Sequence, residues 1–264
     1  MNKPSAARNP SSPKAGVHTV LGQVDPLLLG HCQMHEHLFV QHGPAALRNP
    51  DLCLDSFPKT VQEMLVYRAA GGQALVDAQP VGSGRMATAL CEASRESGVH
   101  VVASTGFHRP LFYPDGHWLF TSPVDRLQAL FLQELMEGMF DDGMTAWPRV
   151  QASTNPETGS LPTAGIIKVA AGPDGLPKTE EASVPFLAAA RAAASSGAPV
   201  LIHTEGGLHG AMLVRFFCEQ GIPANRVIVS HLDKRPDNGK AIRDVLDLGA
   251  WVCLDTLLRP RYVS

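Results

Sequence analysis

Seven short apolar runs, six of them reached through a helical stretch that closes on glycine, constrain this chain more than any other feature it carries. The runs occupy residues 34–39, 73–77, 99–105, 164–170, 199–204, 227–231 and 251–255, and the helical stretches 60–70, 85–97, 123–138, 180–196, 207–220 and 238–248. Glycine just past a helix supplies a left-handed cap at little steric cost, so Gly71, Gly98, Gly197, Gly221 and Gly249 read as helix stops. Strands alternating with helices predict a parallel α/β protein, either a TIM-type barrel or a doubly wound sheet. No glycine-rich phosphate loop follows the first strand, where a dinucleotide-binding sheet would carry one.

The chain has 264 residues, 44% of them hydrophobic and 18% charged, which suits one substantial core over residues 17–264. A net charge of -3 without a basic stripe argues against a nucleic-acid partner. Cys32, Cys53, Cys91, Cys218 and Cys253 show no CxxC spacing and read as reduced, mostly buried thiols. Residues 1–16, rich in Pro, Ser, Ala and Asn, read as a flexible leader without a signal peptide's apolar core. No stretch reaches the length of a membrane span, so a cytoplasmic protein with no membrane partner is expected. Residues 17–30 suggest a small hairpin or lid, and 41–58 and 145–162 are polar or irregular insertions.

In α/β barrels the functional groups sit at the carboxyl ends of the strands. The residues where the apolar runs turn polar are His35 and His37 in the first, Thr105 in the third, Lys168 in the fourth, His203 in the fifth, His231 in the sixth and Asp255 in the seventh. On an extended strand His35 and His37 would face one side. Taken singly, each has an ordinary explanation: a hydrogen-bonded core histidine, or a lysine whose stem packs while its head reaches water. Four histidines and a lysine on one rim point instead to a metal, since imidazole suits zinc-like ions.

The segments Thr19-Val20-Leu21-Gly22, Met34-His35-Glu36-His37-Leu38, Val76-Asp77-Ala78, Ser104-Thr105-Gly106-Phe107, Gly165-Ile166-Ile167-Lys168-Val169-Ala170, Pro199-Val200-Leu201-Ile202-His203-Thr204-Glu205 and Val229-Ser230-His231-Leu232-Asp233 occur in that order. Together they resemble the phosphotriesterase-like branch of the amidohydrolase superfamily, and look most like its lactonase members. The resemblance implies a (β/α)8 barrel holding two divalent metal ions, zinc expected and cobalt or manganese the alternatives. It places His35 and His37 on the more buried ion and His203 and His231 on the more exposed one. Lys168 would be carboxylated and bridge the two, and Lys168 and His231 would be catalytic as well as ligands. A hydroxide held between the metals would then attack a lactone or ester carbonyl.

Phe107, Arg109, Lys234, Arg235 and Arg259, on loops at the same rim, are the candidate substrate contacts. The aromatic residues of the 107–118 loop either wall a pocket or pack the loop, and both readings stay open. Arginine's planar fork suits phosphate, which with the resemblance favours an anionic or phosphorylated sugar lactone; phosphotriester cleavage is the alternative. A small-molecule substrate is thus the expected partner, with a homodimer as the one candidate protein assembly.

The resemblance also implies an aspartate after an eighth strand. Asp255 ends the seventh, and only residues 257–264 follow Thr256. The expectation is a TIM-type barrel with seven of its eight strands, C-terminally incomplete, with open edges beside the first and last. Its buried ion would lack one ligand. A non-catalytic remnant that binds metal weakly is the reading from a different class.

Overall fold

The computed structural model describes residues 16–256. The leader apart from Gly16, and Arg259 among the candidate contacts, lie outside them. An antiparallel hairpin of β1 (Val17–Thr19) and β2 (Gly22–Val24) comes first. Seven strands follow: β3 (His31–Glu36), β4 (Gly72–Asp77), β5 (His100–Gly106), β6 (Ala164–Ala170), β7 (Val200–His203), β8 (Val227–Val229) and β9 (Trp251–Val252). They pair in parallel and in strict sequence order. That order belongs to a barrel and not to a doubly wound sheet, whose order reverses at a switch point. The sheet is a curled half-barrel, with β3 and β9 as its edges among the described residues.

The helices are α1 (Pro44–Arg48), α2 (Phe57–Ala69), α3 (Ala87–Ser97), α4 (Trp118–Thr121), α5 (Val124–Met136), α6 (Glu180–Ser196), α7 (Gly210–Glu219) and α8 (Gly239–Leu246). Gly98 and Gly197 close α3 and α6 in the left-handed conformation the sequence leads one to expect. The 41–58 insertion carries α1, and its Leu54 bridges Val40. The second insertion is tied back by a bridge between Phe140 and Gln151.

Side-chain alternation along the strands builds two cores. Val76, Val102, Ile166, Leu201, Ile228 and Cys253 meet inside the curl. Leu75, Val101, Ile167, Val200 and Val227 face outward into the larger cluster with the helices. Lys168 shares the inward parity of Ile166 and lies one turn of the pleat nearer the carboxyl rim.

The first strand departs from its expected form. It runs three residues earlier than the apolar pattern indicates and ends at Glu36, and its register slips: Gln33 faces Leu75 while Glu36 faces Asp77. Three residues of β3 therefore span two of β4. Such a bulge reverses the alternation and re-aims side chains, so Met34 joins the inner core and His35, its neighbour, is also turned inward above it.

The hairpin lies at the end of the sheet away from the rim. Val20 N–H donates to Val101 O (2.9 Å) near the start of β5. At the start of β6 a side chain on Gly165 would place its Cβ 2.3 Å from His18 O. The hairpin is therefore a plug under the amino ends of the strands, not a lid over their carboxyl ends.

Thr105 is also turned away from the rim. Its Oγ1 donates to Glu134 Oε2 of α5 (2.6 Å), part of a wholly buried network. There Arg85 Nη1 donates to Glu134 Oε2 (3.0 Å) and to Ser104 O (2.9 Å), Arg85 Nη2 donates to Phe140 O (2.8 Å), and Phe140 N–H donates to Glu134 Oε1 (3.1 Å).

Candidate metal centre

Three histidines from widely separated parts of the chain converge at the carboxyl rim. His35 lies within the bulge of β3, His203 ends β7 and His231 lies just past β8; one ring nitrogen of each falls within 4.8 Å of the others, a grouping that could hold a metal ion. His231 takes a left-handed backbone (φ 67), uncommon outside glycine though less so for His. Its N–H donates to Asp255 Oδ1 (3.1 Å), which helps hold that turn.

Lys168 rises from beneath this group, fully buried, with Nζ 2.9 Å from His35 Nε2. Burial lowers its pKa to about 7, so the amine is easily neutral. Its backbone is fixed as well: Phe107 N–H donates to Lys168 O (2.9 Å). At Gly106 (φ +101) a side chain would place its Cβ 2.0 Å from that same oxygen, so only glycine fits beside the lysine.

His37 stands next to the trio, its ring centre 5.6 Å from that of His35, but outside the tight grouping. Its Nδ1 donates to Gln79 Oε1 (2.6 Å), an orientation set because the Gln79 amide NH2 donates to Ser83 O and to Ser83 Oγ (2.9 Å). The outer nitrogens of the trio face carboxylates. His231 Nδ1 donates to Asp255 Oδ1 (2.7 Å), and His35 Nδ1 lies 2.9 Å from Asp255 Oδ2. His203 Nε2 lies 3.3 Å from Glu205 Oε1, which also accepts from Arg109.

A carboxylate only accepts, so a ring nitrogen bound to it carries the proton and the other offers a lone pair. With all three outer nitrogens protonated, His203 Nδ1 and His231 Nε2 confront each other lone pair to lone pair at 2.9 Å. That is repulsive without a positive centre nearby, and a divalent cation removes the conflict. The donor set of imidazoles and a neutral amine therefore fits a metal ion.

The loop residues fall unevenly. Arg109 is paired with Glu205, Arg235 with Asp237 (3.6 Å), and the charge of Lys234 reaches His203 and His231. Phe107 is buried, stacked edge-on against Phe186 with ring centres 4.8 Å apart. It also borders a cavity of about 460 Å³ between the 107–117 loop and α6, which none of the clustered residues lines. A smaller cavity of about 90 Å³ does adjoin the site, lined by His37, Val40, Ala45, Leu52, Gln79, His108 and Phe112.

Asp77 and His108 also belong to this region, beyond the site candidates that the sequence indicates. Asp77 Oδ1 accepts from Leu38 N–H (2.8 Å), and burial raises its carboxyl to about 7. The rule that singled out polar strand ends applies to Asp77 as well. His108 follows the end of β5 and had no such signal.

Burial holds His35, His108, His203 and His231 below the ordinary imidazole range. In metal-free protein the unfolded chain thus binds more protons than the fold as pH drops below about 6.5, and stability falls. Lys168, lowered from 10.5 to about 7, acts in the same sense at higher pH, since its burial cost is relieved as pH rises between those values. Asp77 opposes, binding a proton in the fold between 3.8 and about 7. His117, away from the site, is lowered by burial too, and five imidazoles outweigh one carboxyl, so chelator-treated protein is expected to melt at lower temperature at pH 5 than at pH 8. A flat or inverted profile in thermal melts would contradict these burial effects.

A half-barrel whose reactive side chains gather at the carboxyl ends of parallel strands defines the class of (β/α)-barrel enzymes. Within that class the chain belongs to the Phosphotriesterase family, whose model matches residues 15–262. It is 28% identical over 249 residues to a phospho-furanose lactonase of Mycoplasmopsis agalactiae, covering 93% of this chain and 68% of that one. Its fold matches an amidohydrolase from Mycoplasma synoviae with a TM-score of 0.82 at 26% identity, over 95% of this chain and 69% of that. It also matches the phosphotriesterase homology protein of Escherichia coli, solved with phosphate in its active site, with a TM-score of 0.73 at 27% identity, over 89% and 73%. The chain is a hydrolase-family member with a TIM-barrel type of fold. Among its described residues no helix is long and apolar enough to cross a membrane.

Proposed function

We propose that the protein is a metal-dependent hydrolase of lactones or related esters, with a phosphorylated sugar lactone as the substrate class. The observation that carries the metal is the pair of inward nitrogens of His203 and His231, 2.9 Å apart above a buried amine. His35, His37, His203, His231 and Lys168 would hold two divalent ions, zinc first among them. Bound there, such ions would lower the pKa of a water and polarise a carbonyl or phosphoryl oxygen. A neutral Lys168 is the form able to add carbon dioxide and become an anionic bridging ligand. His37, held by Gln79, and His108 border the small apolar cavity where the substrate ring would sit. The likeness to a phospho-furanose lactonase supports the substrate class.

Metal analysis and a substrate comparison test this reading. Purified protein is expected to carry two metal ions per chain and to turn over phosphorylated furanose lactones faster than a chromogenic phosphotriester. Preference for the triester would favour the phosphotriesterase alternative, and absence of bound metal after zinc loading would favour the remnant.

A further inference from the structure

Asp255 is the acidic group most deeply involved with the histidine trio, and the function as described gives it no part. We infer that Asp255 is a positioning residue: one carboxylate that holds both His35 and His231 in the Nδ1–H form and turns both Nε2 lone pairs into the site. Its Oδ1 accepts from His231 Nδ1 (2.7 Å) and from the His231 backbone N–H (3.1 Å). Its Oδ2 lies 2.9 Å from His35 Nδ1, both atoms buried, and the Cys253 thiol also hydrogen-bonds to the carboxylate. On the far side of the rings, His35 Nε2 is 2.9 Å from Lys168 Nζ and His231 Nε2 is 2.9 Å from His203 Nδ1. Asp255 thus sits behind the imidazoles, where it orients them and does not itself replace a ligand.

The carboxylate is held in turn. Asp233 accepts from the backbone N–H groups of Asp255 (3.2 Å) and Thr256 (2.8 Å). No ladder joins β3 to β9 among the described residues, so the Asp255–His35 contact ties the first strand's histidine to the chain just past the last strand. One side chain therefore sets the angle of two imidazoles that come from different edges of the curl. The consequence for metal affinity rests on the metal reading above; the ring tautomers do not.

The test is ¹⁵N NMR of the histidine rings in chelator-treated protein at pH 8, where the imidazoles are neutral, together with zinc titration. In the unsubstituted protein His35 and His231 are expected as Nδ1–H tautomers. Asp255→Asn keeps the size but leaves one acceptor oxygen, so at least one of the two rings is expected to lose that tautomer. Zinc affinity should then fall about 10–100-fold, the usual cost of removing an outer partner of a metal-bound histidine. Nε2–H tautomers in the unsubstituted protein overturn the inference, whether or not the variant folds. So does an Asp255→Asn protein with unchanged rings and unchanged zinc affinity. Failure of the unsubstituted protein to bind zinc would instead overturn the metal reading while leaving the ring measurement standing.

Discussion

Lys168→Met is expected to abolish hydrolysis while leaving the fold intact or firmer. Methionine matches the length of the lysine stem and brings no buried amine, so the cost of keeping Nζ uncharged in the barrel disappears. If the protein holds two ions as proposed, bound metal should drop to one or none, because the group lost is the amine 2.9 Å from His35 Nε2 beneath the trio. Activity should fall at least about a thousandfold, several kcal/mol of lost transition-state stabilisation. Metal content, a thermal melt and the lactonase rate, measured on one preparation, check all three. A variant with full activity would remove Lys168 from the chemistry, and one that melts lower would show that the amine is structural.

Glu134→Ala should produce the largest loss of stability, well away from the rim. Truncation strands the Arg85 guanidinium in the core, removes the acceptor of Thr105 and leaves Phe140 N–H unpaired. Breaking a buried pair from one side costs about 3–5 kcal/mol. At about 2–4 °C per kcal/mol for a chain of this size, the melting temperature should fall by roughly 10 °C. Replacing both partners by apolar residues, Arg85→Met with Glu134→Leu, should recover most of it, since no charge is then left uncompensated. Equal losses in the single and double variants would argue that packing, and not the stranded charge, sets the cost. Because the network joins α5, β5 and the chain at Phe140, it also explains why Thr105, a polar strand end, is spent on structure.

Much of the architecture is legible in the sequence because it is local. Glycines at 98 and 197 stop helices wherever they fall, and a two-residue period assigns Ile166 and Lys168 to one face whatever the sheet does later. The carboxyl-end rule then places Lys168, His203 and His231 on one rim. The first strand is where local reasoning fails. Its apolar run misplaces the strand, since the bulge between Gln33 and Glu36 depends on how β4 lies alongside.

The alternation of strand and helix, the inward parity of Lys168 and the rim that carries the histidines thus follow from local pattern alone. Which of those groups meet depends on the folded sheet as a whole. His35 joins His203 and His231 while His37 is drawn to Gln79, Arg109 is engaged by Glu205, and Asp255 comes to rest behind two imidazoles. The physical reason is curvature. Period and caps fix a side chain's face and height along its own strand, but its position around the curl sums the twist and register of every strand between. Contacts between residues as far apart in the chain as 35 and 255 exist only after that sum is taken.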